Sequence, residues 1–354
     1  MNVLMVGVDK ASKGGMLTVV ENYLSNQQFC DEVGLRYVAS VARGNKLKKI
    51  GAFLKAMPKI RGEIKKNHID IVHVHMAERG SIFREGYIVK VAKKMGCKTI
   101  IHMHAATIEE WYARQSAPVK KITENVLSAA DKVLVLGENW LPFMNRLVDD
   151  PNKVKTLYNA VHVPERNFYN KDGNEILFYG MLIPRKGIDD LLTAFRNILP
   201  QIPENITLAL YGDDYDSKEK IGDKLARFHL GERAQYRGWL TPERKADAYK
   251  NVIVNILPSY NEGLPMTILE TMAYGIPNIS TNVAAIPEAI DDGGNGIIIT
   301  PGRVDELASA MLEMINSVEK RVAYSESAYQ KARECFSLEK HFSDLIALYE
   351  SLLE

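Results

Sequence analysis

Cysteine is scarce in this sequence of 354 residues, and no apolar run is long enough to cross a bilayer. The three cysteines, Cys30, Cys97 and Cys335, form an odd and scattered set. Such a set argues against a disulfide framework and against a cysteine-based zinc site, and it is typical of a reducing compartment. The first residues lack the basic region of a signal peptide and have the pattern of a strand. We therefore expect a cytoplasmic protein.

Net charge is almost absent as well, since 45 lysines and arginines stand against 44 aspartates and glutamates. This balance hides an asymmetry between the two halves of the chain. Residues 1–170 hold 26 basic and 16 acidic side chains, a net +10, and the remaining residues hold 19 and 28, a net −9. The two halves are therefore predicted to face different surroundings or each other. No nucleic-acid partner is expected.

Short apolar runs alternate with segments of helical periodicity along the chain, and the pattern restarts near residue 175. Strands that alternate with helices predict parallel, doubly wound sheets. We predict an α/β fold with two Rossmann-like domains facing across a cleft. The predicted parts are an N-terminal domain (1–163), a linker (164–174), a C-terminal domain (175–336) and a helix that packs back on the N-terminal domain (337–354).

Residues 43–66 are strongly basic, with nine lysines and arginines and the single acid Glu63. Apolar residues recur there at helical spacing, and Pro58 is predicted to kink or split the helix. These apolar residues are Leu47, Ile50, Leu54, Met57, Ile60 and Ile64. A basic amphipathic helix can lie on an anionic membrane surface. An outer helix with a solvated basic face has the same pattern, so both interpretations stay open.

Two predicted strands each end in a His-x-His sequence, formed by His73 and His75 and by His102 and His104. Because side chains alternate along a strand, each pair points to one face of the sheet. Four such histidines suggest a metal site. However, no acidic residue recurs with them at ligand spacing, and buried histidines bonded to backbone are the commoner case, so no metal is expected. His104 ends its strand at the edge where open α/β sheets bind ligands, which makes it a candidate substrate contact.

Ser81 and Arg84 lie at the start of the predicted helix that follows the first of these strands. They face the same predicted edge of the sheet and are candidate acceptor-binding residues. An ordinary helix cap and an exposed helix charge are the competing interpretation.

Gly14 and Gly15 stand between the first predicted strand and the first predicted helix, in a loop over 9–15. Strand, glycine turn and helix form a phosphate-binding layout, because a helix N-terminus attracts anions and glycine lets the backbone approach a ligand. A tight turn in any α/β fold uses the same residues, so the glycines alone do not decide.

The stretch over 252–275 organises the second half of the chain. Its apolar run over 252–258 predicts a buried strand, Pro265 suits the first turn of a helix, and Gly275 suits the position after the helix end. Glu262 lies in the loop and Glu270 on the helix, with the helix N-terminus between them as an anion site. Two carboxylates around an anion site suit a nucleotide sugar, which has hydroxyls at both ends and phosphate in the middle.

Arg185 and Lys186 follow the first strand of the second predicted domain. Two cations and a helix N-terminus can hold a diphosphate and stabilise it as it leaves. Glu270 can then bind the ribose hydroxyls, and Glu262 can bind hydroxyls of the sugar. For each of these residues taken singly, an exposed loop or helix charge is the competing interpretation.

The spacing Glu262-x7-Glu270, with a Pro-Ser strand end before it and Met-Ala-Tyr-Gly-Ile-Pro after it, resembles the E-x7-E signature of retaining glycosyltransferases of family 4. The resemblance covers nearly the whole chain and implies the GT-B fold. The other matching positions are Gly14, Gly15, His104, Asn159, Pro184-Arg-Lys-Gly187 and Pro287-Glu288. The segment over 74–84 looks most like bacterial capsule, O-antigen and exopolysaccharide enzymes.

The resemblance implies a role for each matching residue. Glu262 would contact the transferred sugar, Glu270 the ribose, and His104 the donor sugar near the scissile bond, while Arg185 and Lys186 would neutralise the diphosphate. The implied catalytic residues are His104, Glu262, Arg185 and Lys186. The implied donor-binding residues are Gly14, Gly15, Arg185, Lys186, Glu262, Gly263, Leu264, Pro265 and Glu270.

The implied reaction is metal-independent, retaining transfer of a sugar from a nucleoside-diphosphate sugar, with UDP favoured over GDP and no cofactor. The expected acceptor is a lipid-linked glycan of bacterial surface polysaccharide synthesis, at the inner face of the membrane. A nucleotide-sugar epimerase or phosphorylase of the same fold, and a His-x-His metal hydrolase, are the alternatives. Two departures concern the donor pocket: Met181 stands where many members have arginine, and Ala284-Ala285 stands where many have two glycines.

Overall fold

The computed structural model describes residues 1–10, 12, 14–214 and 219–354. Ala11 and Lys13 of the predicted glycine loop lie outside the described residues. The chain divides into two compact units. Unit 1 comprises Met1–Asn159 together with Leu338–Glu354, and unit 2 comprises Ala160–Ser337. No helix in the described part of the chain is long and apolar enough to span a bilayer.

Unit 1 is built on a six-stranded parallel sheet with the order β2-β1-β3-β4-β5-β6. Its strands are β1 (Val3–Val8), β2 (Arg36–Val41), β3 (Ile71–Met76), β4 (Lys98–Met103), β5 (Lys132–Val135) and β6 (Val154–Thr156). Its helices up to residue 145 are α1 (Gly15–Ser25), α2 (Gln27–Glu32), α3 (Lys46–Lys66), α4 (Gly80–Lys94), α5 (Ile108–Ala113), α6 (Ala117–Ala129) and α7 (Leu141–Asn145). β3 is buried along its whole length, as expected for a strand covered by helices on both faces.

Unit 2 has its own six-stranded parallel sheet, with the order β12-β11-β10-β7-β8-β9. Its strands are β7 (Glu175–Tyr179), β8 (Thr207–Tyr211), β9 (Ala234–Tyr236), β10 (Val252–Leu257), β11 (Asn278–Thr281) and β12 (Gly296–Ile299). Its helices are α8 (Ile188–Ile198), α9 (Ile221–Arg227), α10 (Pro242–Tyr249), α11 (Met266–Ala273), α12 (Ile286–Ala289), α13 (Val304–Asn316) and α14 (Val318–Cys335). The prediction of two doubly wound α/β domains is thereby confirmed.

The last helix, α15 (Leu338–Leu353), belongs to unit 1. His341 bonds through Nδ1 to the Tyr158 carbonyl at 2.8 Å, and its Nε2 lies 2.6 Å from the Tyr23 hydroxyl. The ring of Phe342 stacks on Phe29 with centroids 4.5 Å apart. The apolar face of this helix therefore completes the core of the unit whose sheet ends at Thr156, far earlier in the chain.

Two prolines differ from their predicted places in the helices. Pro58 was predicted to kink or split its helix, and the split is wrong, because α3 runs without a break from Lys46 to Lys66. Met57 and Ile60 are buried there, and their packing outweighs the hydrogen bond that proline cannot make. Pro265 is the N-cap residue of α11 rather than a residue of its first turn, with φ −72° and ψ 123°.

Candidate functional site

The predicted donor residues of unit 2 lie where its strand order reverses. The order 3-2-1-4-5-6 within this sheet places the reversal between β7 and β10. Ligands of doubly wound sheets bind outside the carboxyl ends of the strands at such a point. Arg185 and Lys186 follow β7, and Glu262 follows β10. The topology alone therefore brings these three residues to one edge.

Glu262 and Lys186 form a buried ion pair at this edge. The Lys186 Nζ lies 2.5 Å from the Glu262 Oε1, and the Ser259 hydroxyl donates to the same oxygen at 2.7 Å. A buried carboxylate needs such partners, because an unpaired charge in the interior is costly. Lys186, predicted to face the diphosphate, is thus held beside the carboxylate that is predicted to face the sugar.

Arg185 and Gly187 fix the position of the loop after β7. The Arg185 guanidinium donates to the Asn261 carbonyl, and the Arg185 carbonyl accepts from the Tyr260 N–H at 2.9 Å. Gly187 has φ +71°, and a Cβ there would lie 2.0 Å from the Pro258 carbonyl oxygen. Only glycine permits this approach, so Gly187 is what allows the Arg-Lys loop to reach the end of β10.

Helix α11 carries the second glutamate and ends in a well-formed cap. The N–H of Gly275 bonds to the Met272 carbonyl and the N–H of Ile276 bonds to the Thr271 carbonyl, both at 2.9 Å. These two bonds, with Gly275 at φ +72°, form a Schellman motif and confirm the predicted helix end. The same short helix buries Glu270.

Glu270 is paired with a residue that the sequence did not single out. The Lys245 Nζ of α10 lies 2.7 Å from the Glu270 Oε1, and Lys245 also lies over the ring of Tyr179 at 5.6 Å from its centroid. The Glu270 Oε2 is buried with no hydrogen-bond partner among the described residues. Burial raises the pKa of Glu270 above its ordinary value, and the nearby Lys245 charge opposes that rise. Since Lys245 bonds only to Oε1, Oε2 can accept a hydrogen bond from a ligand hydroxyl.

The loop between the two glutamates is held by the segment before α12. The Gly263 carbonyl accepts from the Ala285 N–H at 3.1 Å, while Leu264 and Pro265 are buried beside it. Ala284 adopts φ +49°, a left-handed conformation that glycine adopts without strain. The alanine pair noted in the sequence thus stands at a turn whose backbone favours glycine at its first position.

The predicted phosphate turn of unit 1 lies at the corresponding reversal of its sheet, between β1 and β3. Gly14 is the N-cap residue of α1, with φ +112°, and Gly15 is the first helical residue. A Cβ at Gly14 would meet nothing within 4 Å among the described atoms. The glycine is therefore required by its backbone angle rather than by packing, and the space beside it is open.

The four histidines predicted to share one face of the sheet do so. His73 Nε2 lies 3.3 Å from His102 Nδ1, and His75 Nδ1 lies 2.8 Å from His104 Nε2. His73 also bonds through Nδ1 to the Tyr349 hydroxyl at 2.7 Å. Burial lowers the pKa of all four below the ordinary value, to about 3 for His73 and His104. They are neutral near pH 7, and the half-buried His104 is the member at the strand end.

The geometry of this cluster fits hydrogen bonding better than metal binding. Ligand atoms of His73, His75 and His102 lie within 4.8 Å of one another, and the Nε2 atoms of His75 and His102 have no partner among the described residues. However, the ring of His75 stacks on those of His73 and His102 at interplanar angles of 19° and 30°. His73 and His102 are tilted at 43°, and His73 already uses both ring nitrogens, one towards His102 and one towards Tyr349. No carboxylate joins the trio in the described part of the chain to offset a cation's charge.

Ser81 and Arg84 are joined by Glu85, which sequence reasoning missed. The Ser81 hydroxyl donates to Glu85 Oε2 and the Arg84 Nε to Glu85 Oε1, both at 2.7 Å, and the Ser40 hydroxyl adds a third bond at 2.8 Å. Ser81 also accepts from the Ala77 N–H at 2.9 Å. Ser81 is therefore not the helix cap, since Arg79 holds that position at φ +64°.

The sequence reveals less about Lys245 than about Glu85. Lys245 lies in the charged segment over 243–247, a pattern typical of a solvent-exposed face. Glu85 instead shares its helix face with Ser81, Ile82, Ile88 and Val89, because residues three and four apart meet on one face. That apolar face is the signal by which the burial of Glu85 could have been predicted.

Comparison with known proteins shows similarity to glycosyltransferases. Residues 163–331 match the model of the family described as glycosyl transferases group 1. An uncharacterized glycosyltransferase of Methanocaldococcus jannaschii is 24% identical over 99% of this chain and 99% of its own length. An uncharacterized 41.2 kDa protein in the cps region of Klebsiella pneumoniae is 24% identical over 94% of this chain and 96% of its own length.

Among solved structures, HepE of Anabaena in complex with UDP-glucose superposes with a TM-score of 0.77. The alignment covers 99% of this chain and all of that chain, at 16% identity, which establishes a shared fold. Two Rossmann-like units with parallel six-stranded sheets are the GT-B arrangement predicted from the sequence. Over residues 163–331 the chain is therefore similar to group 1 glycosyltransferases, and along its whole length it is similar to the uncharacterized glycosyltransferase of Methanocaldococcus jannaschii.

Proposed function

We propose that the protein transfers a sugar, with retention and without a metal, from a nucleoside-diphosphate sugar to a glycan acceptor. The observation that carries this proposal is the arrangement at the strand reversal of unit 2. There Glu262 and Glu270 flank the start of α11, each paired with a lysine. A nucleoside-diphosphate sugar has hydroxyls on its sugar, negative charge on its diphosphate and hydroxyls on its ribose. The order of Glu262, the N-terminus of α11 and Glu270 matches these three parts.

Each group of the donor then has a partner on this edge. Glu270 accepts from the ribose through its open oxygen, and Glu262 accepts from hydroxyls of the transferred sugar. Lys186 and Arg185, together with the N–H groups at the start of α11, stabilise the charge that develops on the departing diphosphate. Gly263, Leu264 and Pro265 shape the loop around it. Within unit 1, Gly14, Gly15 and the neutral imidazole of His104 are proposed substrate contacts in their own right.

UDP is the favoured nucleotide of the donor. HepE, whose fold this chain shares, was solved with UDP-glucose. We propose the same nucleotide for the present chain because the two folds align along their whole lengths. No cofactor takes part, since activated-sugar transfer needs neither redox chemistry nor a carrier group.

The proposed acceptor is a lipid-linked glycan of bacterial surface polysaccharide synthesis. A relative that aligns along nearly its whole length lies in the cps region of Klebsiella pneumoniae. Ser81 and Arg84 lie near the start of α4, after the carboxyl end of β3, and are the proposed acceptor contacts. The buried Glu85 holds both side chains in place.

Such an acceptor would be met at the inner face of the membrane, and α3 has a surface suited to it. Leu47, Ile50 and Leu54 are 78%, 55% and 63% exposed, whereas the apolar residues of the second half of α3 are buried. The exposed residues lie in a segment with nine basic side chains and one acid. Exposed apolar groups among lysines bind anionic bilayers by insertion and charge attraction together, so we propose peripheral attachment through residues 43–66.

Donor binding tests the assignment of unit 2. Glu270→Ala and Lys186→Ala are expected to weaken UDP binding at least tenfold by calorimetry, because each removes a charged hydrogen-bonding partner. Glu243→Ala, an exposed change on α10, is the matched control. Unaltered UDP affinity and sugar transfer in both site variants would show that the assignment is wrong.

Product analysis separates transfer from its alternatives. With donor and a glycan acceptor, the protein is expected to yield a glycoside that keeps the donor's anomeric configuration, measured by NMR. An altered sugar nucleotide formed from donor alone would indicate an epimerase. A sugar phosphate formed with inorganic phosphate would indicate a phosphorylase, and chelator-sensitive hydrolysis would support the metal hydrolase.

Vesicle binding tests the membrane contact. The protein is expected to sediment with vesicles that contain anionic lipid and to be released by high salt, because surface charges are screened. Leu47→Ser combined with Leu54→Ser should reduce binding severalfold, while Phe168→Ser, an equally exposed apolar change in unit 2, should not. Equal binding to neutral vesicles, or no binding at low salt, would refute this contact.

A further inference from the structure

Lys245 makes an ion pair that stability alone does not explain. Its side chain is 16% exposed and that of Glu270 is 10% exposed, so both charges are largely withdrawn from water. Buried ion pairs give little net stability, because desolvation cancels most of the attraction. In addition, the Glu270 Oε2 is left without a partner among the described residues. A well-packed pair serving only the fold would leave no buried oxygen open.

In the described part of the chain, no second cation lies close enough to Glu270 to bond to its open Oε2. Lys245 and Tyr249 face it from α10, Tyr274 faces it from the end of α11, and Tyr179 of β7 carries Lys245 over its ring. The tyrosines are neutral at ordinary pH, since burial raises the pKa of Tyr249 and Tyr274. Among the described residues, Lys245 is therefore the one positive group that bonds to this carboxylate.

We infer that Lys245 is a positioning residue of the donor site, which fixes one oxygen of Glu270 so that the other is presented to the ribose of the nucleotide. This inference rests on the proposed function. Lys245 acts through Glu270 and need not touch the donor. The pair leaves the Glu270 Oε2 as a buried hydrogen-bond acceptor. One ribose hydroxyl can donate to this oxygen, whereas a deoxyribose that lacks the hydroxyl would leave it unbonded.

The arrangement predicts a pH effect that a packing role would not produce. Burial favours the protonated form of Glu270, and the Lys245 charge favours the ionised form. Without that charge, the carboxyl group takes up a proton as the pH falls and loses its acceptor lone pair on one oxygen. Removal of Lys245 should therefore weaken nucleotide binding, relative to the natural chain at the same pH, more at pH 6 than at pH 8. The comparison at equal pH removes the effect of the terminal phosphate of UDP, which itself takes up a proton near pH 6.

The test is UDP binding by calorimetry at pH 6, 7 and 8, with the natural chain, Lys245→Met, Lys245→Arg, Glu270→Gln and the double variant Lys245→Met/Glu270→Gln. Lys245→Met is expected to lose about tenfold in affinity at pH 8 and more at pH 6. Lys245→Arg should keep most of the affinity, and the methionine change should cost little once Glu270 is glutamine. Lys250→Met, on the exposed side at the end of the same helix, is the matched control.

Three results would overturn the inference. The first is that Lys245→Met binds UDP as the natural chain does at every pH. The second is that it loses the same factor of UDP affinity at every pH. The third is that the methionine change costs as much UDP affinity in the Glu270→Gln background, which would place Lys245 on the donor itself. Melting temperatures of all variants, with Lys245→Arg as the conservative form, separate unfolding from lost binding. Failure of the natural chain to bind UDP, GDP or ADP would instead refute the proposed function.

Discussion

At the scale of single residues, the site of unit 2 depends on backbone angles as much as on charges. Gly187 lets the loop after β7 approach the end of β10, and Gly275 ends the helix that carries Glu270. Ala284 is the exception, because it holds a left-handed angle of φ +49° with a side chain that disfavours it. The strain lies one residue from Ala285, which bonds to the Gly263 carbonyl.

This strain gives opposite expectations for the two neighbouring alanines. Ala284→Gly should raise the free energy of unfolding by up to about 1 kcal/mol, since it relieves the left-handed angle at some entropic cost. Ala285→Gly should lower it by about 1 kcal/mol, because Ala285 is fully buried at an ordinary φ of −86°. Urea unfolding of both variants measures the difference, and destabilisation by Ala284→Gly would contradict the account.

At the scale of elements, β3, β4 and α15 meet in a buried layer of histidine and tyrosine. His73 bonds to Tyr349, and His341 bonds to Tyr23 and to the Tyr158 carbonyl. Burial lowers the pKa of His341 to about 4. These groups are neutral in the folded chain near pH 7, so protonation would place charge inside a buried layer. The Asp344 carboxylate and the Tyr158 carbonyl favour the charged form of His341, but burial outweighs both.

Unit 1 is therefore expected to lose stability in acid. In the unfolded chain these histidines take up protons near their ordinary pKa of 6.5. In the folded chain burial lowers the pKa of His73 and His104 to about 3 and that of His341 to about 4. The stabilising effect of the neutral forms is complete above pH 6.5 and is lost as the pH falls towards those values. Each such histidine contributes up to about 1.4 kcal/mol per pH unit.

Urea unfolding between pH 7.5 and pH 4.5 checks this expectation. His341→Gln should reduce the slope of stability against pH, whatever its effect at pH 7.5. His162→Gln, a change at an exposed histidine of unit 2, should leave the slope as it is. A slope unaffected by His341→Gln would mean that this histidine does not titrate differently in the folded and unfolded chains.

At the scale of the whole molecule, the chain leaves unit 1 at Asn159 and returns to it at Leu338. The returning helix buries Phe342, Leu345, Tyr349 and Leu352 in unit 1. Unit 1 is thus incomplete until the C-terminus of the chain is made. Its stability depends on a segment that follows all of unit 2 in sequence.

A chain that ends at Ser337 should lose much of the stability of unit 1 and little of that of unit 2. Full burial of a large apolar side chain is worth about 1.5–3 kcal/mol, and four such residues would be removed. Hydrogen exchange, measured separately on peptides of β3 and β10, should show faster exchange only in β3. Removal of Leu353 and Glu354, which are exposed, is the control, and unchanged exchange in β3 would contradict the prediction.

The sequence by itself determined the two doubly wound sheets, because buried parallel strands are continuous apolar runs that any order of helices must cover. It also determined that the histidines share one face and that Gly275 ends its helix, since strand alternation and left-handed caps are local rules. The strand ends also predicted that Glu262 and Lys186 lie at one edge, whereas their ion pair was not predicted and comes from the structure.

Only the tertiary structure decided which charged residues are buried. Lys245 has the sequence pattern of an exposed helix face, yet its Nζ pairs with the buried Glu270. Glu85 lies at helical spacing from Ile82 and Val89, but only the structure shows that it holds Ser81 and Arg84. The division of α3 into a buried and an exposed half was equally invisible, because its apolar spacing is the same along both. Burial is set by what packs against a helix, and that partner lies elsewhere in the chain.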